Sequence, residues 1–160
     1  MALYFECKVK YDKMAENGSV RKVNEPYLVD ALTFTEAEAR VTEEVKPFIS
    51  GDFTVTAAKK TKIAEIFRAN MHIADRFYLV KVNFITIDEK TGQEKKAANL
   101  ILVQASDFHG ALNRFEEGMK GTMADYEIAA ISETPIVDVF NYVAKETTEQ
   151  TNNPQKPQQQ

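Results

Sequence analysis

The chain of 160 residues is poor in the residue types from which metal and catalytic centres are commonly built. It contains one cysteine and two histidines, so an internal disulfide is excluded and a zinc-type set of Cys and His ligands has too few members. The lone cysteine also favours a reducing cell interior. We therefore expect no metal, no cofactor and no catalytic residues, and we predict that the protein is not an enzyme.

Long apolar runs and strong charge imbalance are also missing. No run approaches the roughly 18 apolar residues that would cross a bilayer, and the opening MALYFECKV has no basic leader before an apolar core. The formal net charge is −4. We expect a cytoplasmic protein without membrane contact. A local basic surface remains compatible with this composition, because binding follows the local field rather than the net charge.

What the sequence does contain is a stretch that occurs twice, 74 positions apart. Residues 29–45 read VDALTFTEAEARVTEEV, and residues 103–119 read VQASDFHGALNRFEEGM. Six of these seventeen positions are identical, where chance gives about one, and such self-similarity indicates a repeated structural unit. Weaker similarity at an offset of 73 extends the correspondence on both sides.

This duplication sets the expected domain organisation. We predict one globular domain over residues 1–146, made of two repeats (1–67 and 77–140) joined by a connection (68–76). Residues 147–160 contain no apolar side chain, so their composition predicts a disordered tail.

Each repeat begins with a pattern that is typical of a β-hairpin. Phe5, Cys7 and Val9 alternate with polar residues, as in a half-buried strand. Polar loops containing Gly18 and Gly92 follow, and glycine supplies the positive φ that hairpin connections require. We therefore predict one hairpin in each repeat.

A helical period follows the hairpin. Thr33 and Asp107 are predicted N-caps. Gly118 and Gly121 are predicted to end the second helix rather than to form a GxxG clamp for a nucleic-acid backbone. One apolar stripe on each helix is expected to face the core. The stripe residues are Phe34, Ala37, Val41 and Val45 in the first helix and Phe108, Ala111, Phe115 and Met119 in the second.

Prolines constrain the remaining strands. Pro26 cannot donate to a strand ladder, so the start of that strand is predicted to lie at a sheet edge or a bulge. Pro135 leaves two readings open for the equivalent segments 61–67 and 134–140, a short helix or an edge strand. The predicted fold is α+β: a duplicated β-β-α-β unit with pseudo-two-fold symmetry, a mainly antiparallel sheet and helices packed on one face.

Two sets of side chains are candidates for ligand binding. Arg40 and Arg114 occupy matching helical positions, where they either form salt bridges within the helix or bind an anion in a groove between the repeats. The outward strand faces mix cations and aromatics, which either hold single-stranded nucleic acid or protect exposed strand edges from pairing. These strand residues are Tyr4, Lys8, Lys10, Arg21, Lys22, Phe77, Lys81, Lys95 and Lys96.

Several phrases spanning both repeats resemble an uncharacterised family, a domain of unknown function common in Bacteroidales genomes and their phages. They are YFECKVKYDK, NEPYLVDALTFTEAEAR, FISGDFTV and EEGMKGTMADYEIAAISETPI. The resemblance implies a small, soluble, intracellular protein and brings no known site residues.

We expect a non-catalytic binding or adaptor protein that acts through a sheet face or the groove between the repeats. The sequence leaves the partner open between a protein and single-stranded nucleic acid, and a homo-oligomer is compatible with it. The alternatives are a single-stranded nucleic-acid-binding protein and, third, a small enzyme with carboxylates and arginines between the repeats.

Overall fold

The computed structural model describes residues 3–70 and 72–142, and within these ranges it confirms an α+β protein. The predicted tail, 147–160, lies outside the described residues. In chain order the elements are β1 (Leu3–Met14), β2 (Val20–Ala31), α1 (Phe34–Val45), β3 (Phe53–Lys60), β4 (Ile63–Phe67), β5 (Arg76–Ile87), β6 (Glu94–Ala105), α2 (Phe108–Met119), β7 (Asp125–Thr134) and β8 (Asp138–Phe140).

The chain divides into two compact units. The first unit consists of the chain up to Lys60 together with β8, which comes later in the sequence, and the second unit consists of Thr61–Val137. In the first unit the strand order is β3-β1-β2-β8. β1 is antiparallel to both of its neighbours, and β8 is parallel to β2.

The core of the first unit lies between this sheet and α1. The predicted alternation of β1 is confirmed, because Phe5, Cys7 and Val9 are all buried in one hydrophobic cluster with the stripe of α1. From that stripe Ala37, Val41 and Val45 are buried. The helix therefore covers one face of a mainly antiparallel sheet, as predicted, but the described residues form two such four-stranded sheets instead of the single predicted sheet.

The second unit has the strand order β4-β6-β5-β7. β5 is antiparallel to β6 and β7, and β4 is parallel to β6. Its cluster joins the inward residues Tyr78, Val80 and Val82 of β5 to the buried stripe of α2. The buried stripe residues are Ala111, Phe115 and Met119.

The two segments for which the sequence left alternatives open are edge strands. β4 and β8 each lie at the end of a sheet and each pair in parallel. β8 pairs only with Tyr27–Val29, so β2 is itself the sheet edge from Val20 to Pro26 in the described structure. The predicted edge position of Pro26 is confirmed, because the missing N–H faces no neighbouring strand there.

The unit boundaries differ from the predicted repeat boundaries. By sequence Ile63–Phe67 belongs to the first repeat, yet it pairs with β6 in the second unit. Asp138–Phe140 belongs to the second repeat, yet it pairs with β2 in the first. Each unit thus contains one edge strand from the other repeat. That strand pairs in parallel with a strand that is distant from it in the sequence.

The local signals for turns and helix starts are confirmed. Gly18 and Gly92 have φ of 84° and 72°, the left-handed region that glycine adopts without steric cost. Thr33 caps α1 by accepting from the N–H of Glu36, and Asp107 caps α2 by accepting from that of Gly110.

Three helix predictions need correction. Phe34 and Phe108 are 55% and 49% exposed, because they stand at the first helical position, beyond the end of the buried stripe. Gly118 lies inside α2 instead of ending it. A Cβ there would meet three ring atoms of Phe67 at 2.6, 2.7 and 2.9 Å, so the glycine permits the close approach of β4 to the helix.

Candidate functional site

The outer face is the face of the first sheet that points away from α1. Successive strand residues point to opposite faces, so Lys8 and Lys10 lie on the outer face, since Cys7 and Val9 are in the core. Directly paired residues of antiparallel strands share a face. Lys22 pairs with Asp12 and therefore joins Lys10 on the outer face.

An open pocket of about 270 Å³ lies at the hairpin end of the first sheet. Lys10 is paired with Thr54 on one side and Asn24 on the other, while Tyr11 is paired with Phe53. The lysines reach the pocket from the outer face, whereas Tyr11 and Phe53 belong to the other face of the sheet, where both are partly buried against the core of the first unit. Its lining residues are Lys10, Tyr11, Asp12, Lys22, Asp52, Phe53 and Thr54.

The hydroxyl of Tyr11 is bound by Glu25, which pairs with Val9 and therefore lies on the same face as Tyr11, opposite to Lys10. It donates to Oε1 of Glu25 at 3.1 Å, and the same oxygen lies 3.3 Å from Nζ of Lys13. Burial, followed by this hydrogen bond and the charge of Glu25, raises the pKa of Tyr11 above its ordinary value. Tyr11 therefore stays a neutral hydrogen-bonding group at physiological pH.

The lysines of the outer face are available as cations. Lys8, Lys10 and Lys22 are exposed, and none forms an ion pair with another described residue. Asp12 and Asp52 also line the pocket, so this part of the surface is mixed in charge, with a cationic excess only when Lys8 is included.

The structure separates two predicted residues from this group. Arg21 is exposed but pairs with Lys13, which places it on the opposite face of the hairpin from Lys22. Tyr4 lies on the outer face, far along β1 from the pocket. It is half-buried, and its hydroxyl accepts from Nδ2 of Asn141 at 3.4 Å.

In the second unit Phe77 lies on the outward strand face, as predicted, but its burial removes it as a contact for a ligand. Its ring is 0% exposed, although it points away from the helix-facing cluster. Its register partner is Gln104, whose side chain accepts from the N–H of Ala69 at 3.0 Å and donates to the carbonyl of Ala74 at 2.9 Å. The connection before β5 thus crosses this end of the sheet, where Ala74 is also buried.

The predicted lysines of the second unit do not form one cationic surface. Lys81 is exposed and shares a face with Lys96. Lys96 is bound to Glu127 at 2.8 Å, and this hydrogen bond raises the pKa of Lys96 and lowers that of Glu127. Lys95 lies on the opposite face, 3.6 Å from a carboxylate oxygen of Asp88.

Arg40 forms the predicted ion pair within its helix. Its guanidinium binds the carboxylate of Glu36, donates to the carbonyl of Asp30 at 2.6 Å and lies 3.7 Å from Oδ1 of Asp30. The guanidinium carbon is also 4.5 Å from the ring centre of Tyr142. Arg114, at the matching position of α2, has a buried Nε without a hydrogen-bond partner.

Asp30 and Gln104 are structural residues that the sequence reasoning missed. Both are fully buried, and both accept from the backbone N–H that follows an edge strand, at Tyr142 and Ala69 respectively. The available signal was a polar residue between apolar ones at the end of each return strand, in the aligned VDA and VQA.

Neither histidine joins a site. His72 and His109 are both exposed, and His109 packs its ring against Phe108 with centroids 6.1 Å apart. Across residues 3–70 and 72–142, no three His, Cys, Asp or Glu side chains come together as metal ligands. In the same ranges no helix has the length and apolar character to span a membrane.

The fold and its surfaces define a small α+β protein with an open, mixed-charge concavity. The chain belongs to the family described as Domain of unknown function (DUF4494), whose model matches residues 3–142. The resemblance to a family of unknown function is thus confirmed, and the family assigns no activity. No curated protein and no solved structure matches the chain.

Proposed function

We propose that the protein is a non-catalytic binding protein whose contact surface is the outer face at the hairpin end of the first sheet. The observation that carries this proposal is the pocket to which the exposed Lys10 and Lys22 contribute from two neighbouring strands, beside Thr54 on a third. Exposed lysines that form no ion pair within the described chain offer electrostatic complementarity to an acidic partner. The partner is expected to present an acidic or polar segment to the lysines.

Charge reversal at the pocket tests this function. The variant Lys10→Glu/Lys22→Glu changes two exposed side chains and should retain the fold, which circular dichroism checks. A partner captured from the native host by the wild type should be lost by this variant. Lys95→Glu is the matched control, because Lys95 is an exposed strand lysine in the other unit. A partner retained equally by all three proteins would contradict the proposal.

Single-stranded nucleic acid is the second candidate ligand. It is favoured by the presence of two aromatic and two cationic side chains in one pocket, because bases stack on aromatic rings beside a positively charged track. The burial of Phe77, the packing of Tyr11 and Phe53 against the core, and the acidic pair Asp12 and Asp52 weigh against it.

Fluorescence anisotropy with labelled single-stranded DNA and RNA distinguishes this candidate. Binding should weaken with salt, and Lys10→Glu/Lys22→Glu should reduce the slope of log affinity against log salt by about 1.4, since each phosphate contact on a single strand contributes about 0.7. The absence of binding to either nucleic acid at micromolar protein would remove this candidate and leave a protein partner.

We further propose that the two units arose by internal duplication. In support, the strand order of one unit maps onto that of the other, each helix contains twelve residues, and each return strand ends in a buried polar residue. A tandem of two second repeats should then fold cooperatively, and failure to do so would contradict this view. The pseudo-two-fold relation of the units stays a prediction.

A further inference from the structure

Arg40 and Arg114 occupy the same position in their helices but have different surroundings. Around Arg40 the first unit supplies two carboxylates, one from Glu36 four residues earlier in α1 and one from Asp30 at the end of β2. The guanidinium is also covered by the ring of Tyr142. Arg40 is therefore neutralised from within the unit.

The second unit has replaced both carboxylates. The position of Glu36 is occupied by Gly110, and the position of Asp30 by Gln104. Gln104 does not supply a counter-charge, because its amide side chain, which is bonded to Ala69 and Ala74, is neutral. No other described residue forms an ion pair with Arg114.

The lack of partners has a physical consequence. Nε of Arg114 is shielded from solvent yet donates to no acceptor, and native proteins rarely leave a buried donor unsatisfied without a functional reason. A guanidinium is charged at every physiological pH. Its planar donors match a carboxylate, and Gly110, four residues before Arg114 in α2, has no side chain that could supply one.

We propose that Arg114 binds a carboxylate from a ligand, such as an Asp or Glu side chain of a partner polypeptide, in the position that Glu36 takes against Arg40. The first unit shows the type of ligand, because the charged partners of the guanidinium there are two carboxylates, those of Glu36 and Asp30. Because the guanidinium of Arg114 carries one positive charge, we expect its ligand to carry a single negative charge at this site. This site is separate from the outer face of the first unit and does not depend on the function proposed above.

The side-chain Nε–H resonances of the arginines test the proposal in the full-length protein by NMR. Titration with acetate should shift the Arg114 resonance in a saturable way and leave that of Arg40 unchanged. N-acetylglutamate amide, which carries the same group on an amino-acid side chain, should shift it in the same direction. Sodium chloride at equal ionic strength controls for screening.

The variant Gly110→Glu supplies the missing carboxylate within the chain. Its Cβ would lie 3.0 Å from Oδ1 of Asp107, the flexible capping side chain, and α1 accepts a glutamate at the equivalent capped position. The acetate-induced shift at Arg114 should be lost in this variant, and its unliganded resonance should already be displaced.

Two results would overturn the proposal: no saturable shift at Arg114 with acetate in the wild type, or an undiminished shift in a folded Gly110→Glu protein. Saturation by phosphate at a lower concentration than acetate would overturn the assignment of a carboxylate. Arg114→Lys provides the second variant, since it keeps the charge but removes the planar donors. It should lower the acetate response of neighbouring backbone amides while the protein remains folded.

Discussion

Replacing Gly118 with alanine should destabilise the protein, although alanine is the better helix former. In an exposed helix the change from glycine to alanine contributes about 1 kcal/mol of stability. At Gly118 the new Cβ would meet the ring of Phe67 at 2.6 to 2.9 Å. Overpacking of this kind costs about 1–3 kcal/mol, and three close ring atoms place Gly118→Ala near the upper end. We expect a net loss of about 2 kcal/mol.

The effect of Gly118→Ala on stability should change sign when the side chain at position 67 is smaller. In a Phe67→Leu background the clash is relieved, and Gly118→Ala should be neutral or stabilising by up to about 1 kcal/mol. Asn113→Ala is the matched control, because Asn113 is an exposed position of the same helix and should gain a few tenths of a kcal/mol.

Urea unfolding followed by circular dichroism at 222 nm gives the four free energies of this cycle. A loss in the wild-type background that reverses with Phe67→Leu supports the packing of β4 against α2. If Gly118→Ala stabilised the wild-type protein as much as propensity alone demands, Phe67 would not lie against this helix and the assignment of β4 to the second unit would be refuted.

Other measurements test the remaining structure. Phe115→Ala should lower the free energy of unfolding by about 3–5 kcal/mol, since Phe115 is fully buried on the core face of α2. Urea titration measures this loss, and a value below 1 kcal/mol would contradict the core assignment. Gln104→Leu should lower the free energy of unfolding by about 1–3 kcal/mol, because it leaves the N–H of Ala69 and the carbonyl of Ala74 unpaired. Proteolysis between β4 and β5 should accelerate, and unchanged digestion would argue against the connection crossing this end of the sheet. Burial, with smaller contributions from nearby glutamates, raises the pKa of Cys7 from 9.0 to about 11, so the native thiol should resist thiol reagents at pH 8. A pKa raised by folding contributes stability below pH 9 that is lost as the pH rises towards 11; a pH series of urea midpoints checks the sign.

Local patterns predicted most of the secondary structure because local physics determines it. The alternation around Cys7 placed β1, and the helical stripe through Val41 and Val45 placed α1 with its buried face. Gly18 marked a turn that requires positive φ. Partner choice was different: nothing local in Ile63–Phe67 specifies β6 as its neighbour, because parallel pairing is set by contacts remote in sequence.

The candidate site was predicted only in part, for two physical reasons. Alternation tells which residues share a face of one strand, but the face of the returning strand depends on register, which the hairpin loop sets. Lys22 was therefore correctly grouped with Lys10, whereas Arg21 falls on the other face. Alternation also does not reveal what covers a face, so the burial of Phe77 on the face away from α2 could not be foreseen.

Site-specific photo-crosslinking in the native host tests the binding function most directly. A photoreactive residue replaces Lys22 at the pocket in one strain and Lys95, an exposed lysine of the other unit, in a second strain. We predict a discrete covalent adduct from position 22 that is lost when Lys10→Glu is added, and no such adduct from position 95. An adduct from position 95 alone, or one at position 22 that persists with Lys10→Glu, would contradict the assignment of the outer face as the binding surface.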